Sequence, residues 1–169
     1  MISSVTEHCV MRMISSSARM DPQHARPDMM NSDVEERSAR TIDATRTRNI
    51  AIRLATAQGL FYVVTGVWPL VSMRTFEAVT GPKTDQWLVK TAGSLIATIG
   101  ATLLASAKRG RIPPEIMLLG GGSAATLATI DLVYALRGRI SPIYLLDAGV
   151  EIGFAVAWTA LGREREPTE

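Results

Sequence analysis

The chain has 169 residues, with 18 Lys and Arg against 16 Asp and Glu, 47% apolar residues, one Cys and two His. All nine aromatics and all thirteen glycines lie after residue 58, so any core is built from roughly the last 120 residues, room for one compact unit. Neither the formal net charge of +2 nor the pI near 9.0 implies a nucleic-acid partner, because the basic residues flank apolar runs and form no patch interleaved with aromatics.

The first 49 residues form a polar leader holding seven Arg and seven acids. Cys9, His8 and His24 all fall in this leader. The apolar part therefore has no residues for a disulfide, a CxxC couple, a Cys or His metal site, a His-ligated haem or a Ser-His dyad. No metal and no cofactor is expected. Six of the eight methionines cluster at 1, 11, 13, 20, 29 and 30. That clustering fits a translation start at Met29 or Met30, with residues 1–28 as a gene-model extension. A composition this polar cannot bury enough apolar surface to offset chain entropy, so disorder is expected over residues 1–49, with partial helix at most over 33–49. No secretory signal is legible, and the Arg cluster reads as an anchor at an anionic membrane face.

Four apolar runs follow. Twenty uncharged residues separate Arg53 from Arg74, and seventeen separate Lys90 from Lys108. Residues 116–136 carry one charge, Asp131, and residues 140–162 carry two, Asp147 and Glu151. About 20 apolar residues cross a ~30 Å hydrocarbon layer as a helix, and a soluble four-helix bundle would instead show a charged face every 3.6 residues. The fold class predicted is all-α: a transmembrane four-helix bundle over residues 50–163, with helices near 50–73, 88–107, 115–136 and 142–162, and a short tail at 164–169. Ser141 and Pro142 read as the N-cap and N1 of the last helix.

Basic residues near the spans number ten on the N-terminal side, from Arg37 to Arg165, against five on the other, Arg74, Lys83, Lys90, Arg137 and Arg139. The bias predicts both termini in the cytoplasm, in a multi-pass protein of the inner (plasma) membrane with the lipid bilayer as its main partner. Small residues at every fourth position, Gly93, Ala97, Ala101 and Ala105 in the second helix and Gly149, Gly153 and Ala157 in the fourth, are expected to let backbones approach, and the same signal is compatible with a homo-oligomer. Gly120, Gly121 and Gly122 lack the strand and motif of a phosphate loop and read as close packing or a local distortion.

Chemistry collects at the extracytoplasmic end. The segment from 74 to 90 contains Arg74, Glu77, Lys83, Asp85, Trp87 and Lys90, a varied loop suited to a membrane or periplasmic partner. Asp131 and Tyr134 stand near the end of the third helix. At 100° per residue, Tyr144, Asp147, Glu151 and Trp158 share one face of the fourth. A carboxylate facing lipid is costly, so this acidic stripe should face the bundle interior and approach Asp131. Three acids in one partly dry pocket cannot all ionise without a cation. One reading pairs them with Lys90, Arg74, Lys83 or Arg137 in a structural ion-pair network. The other makes them a site for a proton, a small cation or amine, or a polar lipid group.

The phrases FYVVTGVWPLVSMRTFEAVTGPKTDQWLVKTAGSL and IDLVYALRGRISPIYLLDAGVEI resemble an uncharacterised group of small bacterial four-helix membrane proteins. The likeness covers roughly residues 55–160, and its most specific element is TFEAVTGPKTDQWLV. In size and helix number the chain also looks like the DoxX-type and sterol-isomerase-like families, a likeness of architecture alone. Small multidrug exporters place their essential carboxylate in the first helix, and here that helix has no acid. Three functions therefore stand open: binding or transport at Asp131, Asp147 and Glu151; an accessory role through the loop at 74–90; and, least favoured, a lipid isomerase using a carboxylate pair.

Overall fold

The computed structural model describes residues 27–82 and 84–164, with side chains from residue 34. The expectations for residues 1–26, Lys83 and 165–169 lie outside these described residues. Five helices occur in the described chain, without strands: α1 (Pro27–Val71), α2 (Met73–Thr80), α3 (Gln86–Lys108), α4 (Pro114–Leu136) and α5 (Tyr144–Arg163). Four of them, all but α2, are long and apolar enough to cross a membrane. Their outer faces carry large apolar side chains, among them Leu60, Val64, Leu95, Leu118, Leu146 and Val156. Such continuous exposed apolar surface is foreign to a monomer in water and fits contact with lipid.

By its internal contacts the chain divides after Ile42. In the first unit, the part with described side chains is exposed helix, with an Arg40–Glu36 ion pair one turn apart and the Thr41 hydroxyl donating to the Arg37 carbonyl at 2.8 Å. Residues 33–49, expected to be disordered or partly helical, belong with residues 27–32 to the continuous helix α1. Proline at the first position has no N–H to lose. A long span supplies the costly nucleus, so each further residue adds a hydrogen bond.

The second unit, from Asp43, contains the bundle. Helices α1 and α3 run antiparallel along a glycine seam. A Cβ on Gly59 would lie 2.9 Å from the Gly100 carbonyl oxygen, and one on Gly100 would lie 2.7 Å from that of Gly59. Gly66 and Gly93 meet in the same way one heptad further along. The seam therefore follows a spacing of seven, Gly93 and Gly100, with Ala97 between. Ala101 and Ala105, expected to pack, are exposed. In α5 the expected close-packing stripe is also displaced: a Cβ on Gly149 or Gly153 would meet nothing within 4 Å. The stripe opposite, with Ala148, Glu151, Trp158 and Leu161 buried, is the one that packs.

Gly120 and Gly121 make room for the Trp158 ring on α5, and α4 stays helical through both. At this end of the bundle Ala51, Ala55, Ala107, Ile112, Trp158 and Leu161 form an apolar plug. The other end is less tightly filled. There α1 contains buried Pro69 and stops at Val71, and Ser72 caps α2 by accepting from the Thr75 amide at 3.4 Å. The region read as a loop from 74 to 90 is thus mostly helix, leaving residues 81–85 as connector. Trp68 holds α2 in place, its indole N–H donating to the Thr75 hydroxyl at 2.9 Å and its ring meeting Phe76 edge-on at 5.8 Å. The last helix begins at Tyr144, two residues beyond the expected start, because Ser141 and Pro142 open an i to i+3 turn through Tyr144 N to Ser141 O and Leu145 N to Pro142 O.

Candidate functional site

Beside α2 the helices leave a partly enclosed cavity of about 290 Å³. Its walls are apolar: Phe61 and Pro69 from α1, Phe76 from α2, Leu88 and Ile96 from α3 and Leu127 from α4. Its polar surface comes largely from acids, Asp131 on α4 with Asp147 and Glu151 on α5. Tyr144 and Asp147 also line an adjacent cavity of about 270 Å³ that shares Phe61, Thr65 and Phe76.

Four of the six residues expected around an acidic pocket, Asp131, Tyr144, Asp147 and Glu151, line this cavity. Each arrives by simple helix geometry: Asp147 and Glu151 are one turn apart on α5, and Asp131 lies one turn before the end of α4. The Asp131 side chain lies against Asp147, and Glu151 feels the charge of both. Asp131 is 7% exposed, and its Oδ2 is buried without a hydrogen-bond partner. Glu151, 1% exposed, is anchored: the Tyr62 hydroxyl donates to its Oε2 at 2.8 Å.

The proposed ion-pair network does not form among the described residues. No Lys or Arg there bonds to any of the three acids, and Arg74, Lys90 and Arg137 are exposed. Nor does any group of three or more acids, His or Cys among the described residues have the geometry to hold a metal ion.

Two expected residues belong elsewhere. Tyr134, one turn after buried Asp131 and about 60° round the helix from it, is 47% exposed and does not line the cavity. Trp158 is buried, yet it lies almost two turns beyond Glu151 at the plug, where its indole N–H donates to the Gln58 Oε1 at 2.6 Å. Of the segment from 74 to 90, Arg74, Asp85, Trp87 and Lys90 are exposed and dispersed, Glu77 accepts from the Gln86 amide at 3.3 Å, and only apolar members such as Phe76 and Leu88 reach the cavity.

The sequence reading missed the polar layer beneath the cavity. Gln58 Nε2 donates to the Gly120 carbonyl at 2.9 Å, Ser123 Oγ donates to the same carbonyl at 3.1 Å, and the Tyr62 hydroxyl lies 3.4 Å from Ser123 Oγ. Together with the Trp158–Gln58 and Tyr62–Glu151 bonds, these tie α1, α4 and α5 into one register. A signal was present: Gln58 and Tyr62 are one turn apart within an otherwise apolar run, and polar groups at that depth must find partners.

The site is thus an apolar chamber with an acidic wall, fixed from below by satisfied hydrogen bonds and carrying one orphaned carboxylate oxygen. Comparison with protein-family models, with curated proteins and with solved structures finds no match for this chain.

Proposed function

We propose that this chain is a multi-pass protein of the inner (plasma) membrane that binds a small organic cation of the ammonium class in the acid-walled cavity. Both termini are cytoplasmic in this reading, which puts the cavity near the extracytoplasmic face and the apolar plug on the cytoplasmic side. The observation that carries it is the Asp131 Oδ2 atom, buried and without a donor, on a side chain that interacts with the Asp147 carboxyl. A buried acceptor with no donor is expensive to maintain. An ammonium group supplies N–H donors and the compensating charge together. The walls favour a ligand with an apolar body, and Phe61 and Phe76 offer ring faces to a cation. The volume is at the small end of the range for ligand sites, about 300 Å³ and upward.

Isothermal titration of the detergent-solubilised full chain with 2-phenylethylammonium chloride tests this. Saturable binding is expected in wild type, with loss of at least about tenfold in affinity, roughly 1.4 kcal/mol, in the double variant Asp131→Asn/Asp147→Asn. Equal binding of the neutral analogue 2-phenylethanol, or no binding of the ammonium, overturns the reading.

A further inference from the structure

We infer that an ammonium ligand enters this cavity in exchange for one proton held between Asp131 and Asp147, so that binding is proton-linked. The inference rests on the cation-binding reading above and adds a second transported or exchanged species to it.

The polar groups that share the chamber with the pair are Glu151 and Tyr144 from α5 and Thr65 from α1, with the Tyr62 hydroxyl of α1 already committed to Glu151; what α2, α3 and α4 add to its walls is apolar. None is a cation, and neither acid has an ion pair among the described residues. Two carboxylates in contact, in a chamber with apolar walls, cannot both stay ionised without a cation. They hold one proton in common, and that proton belongs to the pair rather than to either residue.

An incoming R–NH3⁺ changes this state. The shared O–H bond breaks, the proton leaves through the partly open cavity to water, and the ammonium donates N–H bonds to the two carboxylates. Its own three N–H bonds are kept. One positive charge has replaced another, so the net charge of the chamber is the same before and after. That equality matters inside a bilayer, where an uncompensated charge is the dominant cost. Glu151 is held by Tyr62 and is not assigned to the exchanging pair in this scheme. The apolar plug of Ala51, Ala55, Ala107, Ile112, Trp158 and Leu161 closes the opposite end, so ligand and proton share one mouth.

The test is titration calorimetry of the full chain with 2-phenylethylammonium chloride from pH 6 to pH 8, in buffers of differing ionisation enthalpy. Release of about one proton per ammonium bound is expected. At pH values where the free pair still holds its proton the dissociation constant should fall about tenfold per pH unit, and both this slope and the proton release should fade as pH rises past that range. Asp131→Asn keeps the shape of a neutral acid and leaves Asp147 as a lone carboxylate. Its weaker residual binding of the ammonium should show no proton release and no dependence on pH. Asp147→Asn leaves the buried Asp131 carboxyl without its charged neighbour, so proton release and pH dependence should shrink rather than vanish, and this variant serves if the first does not fold. Binding without proton release in wild type overturns the exchange while leaving cation binding intact. No binding at any pH overturns both. Proton release that is undiminished in both Asn variants overturns the assignment to this pair.

Discussion

The Tyr62 hydroxyl donates to Glu151 Oε2 at 2.8 Å across 89 residues of sequence, and both side chains are fully buried. This bond joins the first and last of the long helices directly beneath the cavity. Hydrogen bonds between helices in membranes are worth roughly 0.6 kcal/mol on average and up to about 1.7, and a charged acceptor moves the value toward the upper end. Tyr62→Phe is therefore expected to cost about 1 to 2 kcal/mol in detergent thermal or denaturant stability. Glu151→Gln keeps an acceptor oxygen for the tyrosine and should cost less. A double-mutant cycle of Tyr62→Phe with Glu151→Leu should show a coupling of about 1 kcal/mol, and a coupling near zero would remove this bond from the account of the fold.

The glycine seam gives a sharp contrast between positions that look equivalent in sequence. Gly100→Ala drives a Cβ against the Gly59 carbonyl and Tyr62, where rigid backbone limits relaxation. A loss of about 1 to 3 kcal/mol is expected, the usual range for overpacking. Gly149→Ala and Gly153→Ala meet open space on the outer face of α5 and also gain helix propensity. Stability measured side by side should fall for the first variant and hold or rise for the other two. Equal losses in all three would mean that the outer face of α5 is covered by another subunit or protein.

Trp158 belongs to the plug and does not line the cavity. Replacing it by Phe removes the donor to Gln58 Oε1 and leaves a gap over Gly120 and Gly121. A cost of about 1 to 3 kcal/mol is expected from the unpaired buried acceptor. Ammonium affinity in calorimetry should stay within about twofold of wild type, because Trp158 does not line the cavity. A large loss of affinity at preserved stability would place the ring back in the binding site.

Topology is open to direct test. Reporter fusions at residues 30, 110 and 169 should report the cytoplasm, and fusions near 80 and 139 the opposite side. The inverse pattern would turn the acid-walled cavity toward the cytoplasm.

Much of the architecture is legible in the chain itself, because membrane solvation acts on stretches of residues. Twenty uncharged positions between Arg53 and Arg74 are enough to predict a span, and helical geometry alone puts Asp147 and Glu151 on one face. The polar composition before residue 50 was a poorer guide, since helix propagation from an adjoining span depends on cooperativity along the chain. The cost of a carboxylate in lipid already turns the Asp147–Glu151 stripe inward. Which small residues then pack was beyond reach: the Gly149–Gly153 stripe is as regular as any, yet a Cβ there meets nothing within 4 Å. Tyr62 becomes a partner of Glu151, and Gln58 of Trp158, only when α1 settles between its neighbours at the register set by Gly59–Gly100 and Gly66–Gly93. That register is a tertiary quantity: it arises from contacts 41 and 27 residues apart, the differences 100 − 59 and 93 − 66, and no local pattern encodes it. The same holds for the orphaned oxygen of Asp131. The sequence by itself determines that an acid stands near the end of the third span, whereas the lack of an ion pair to it among the described residues is decided by where the other helices place their charges.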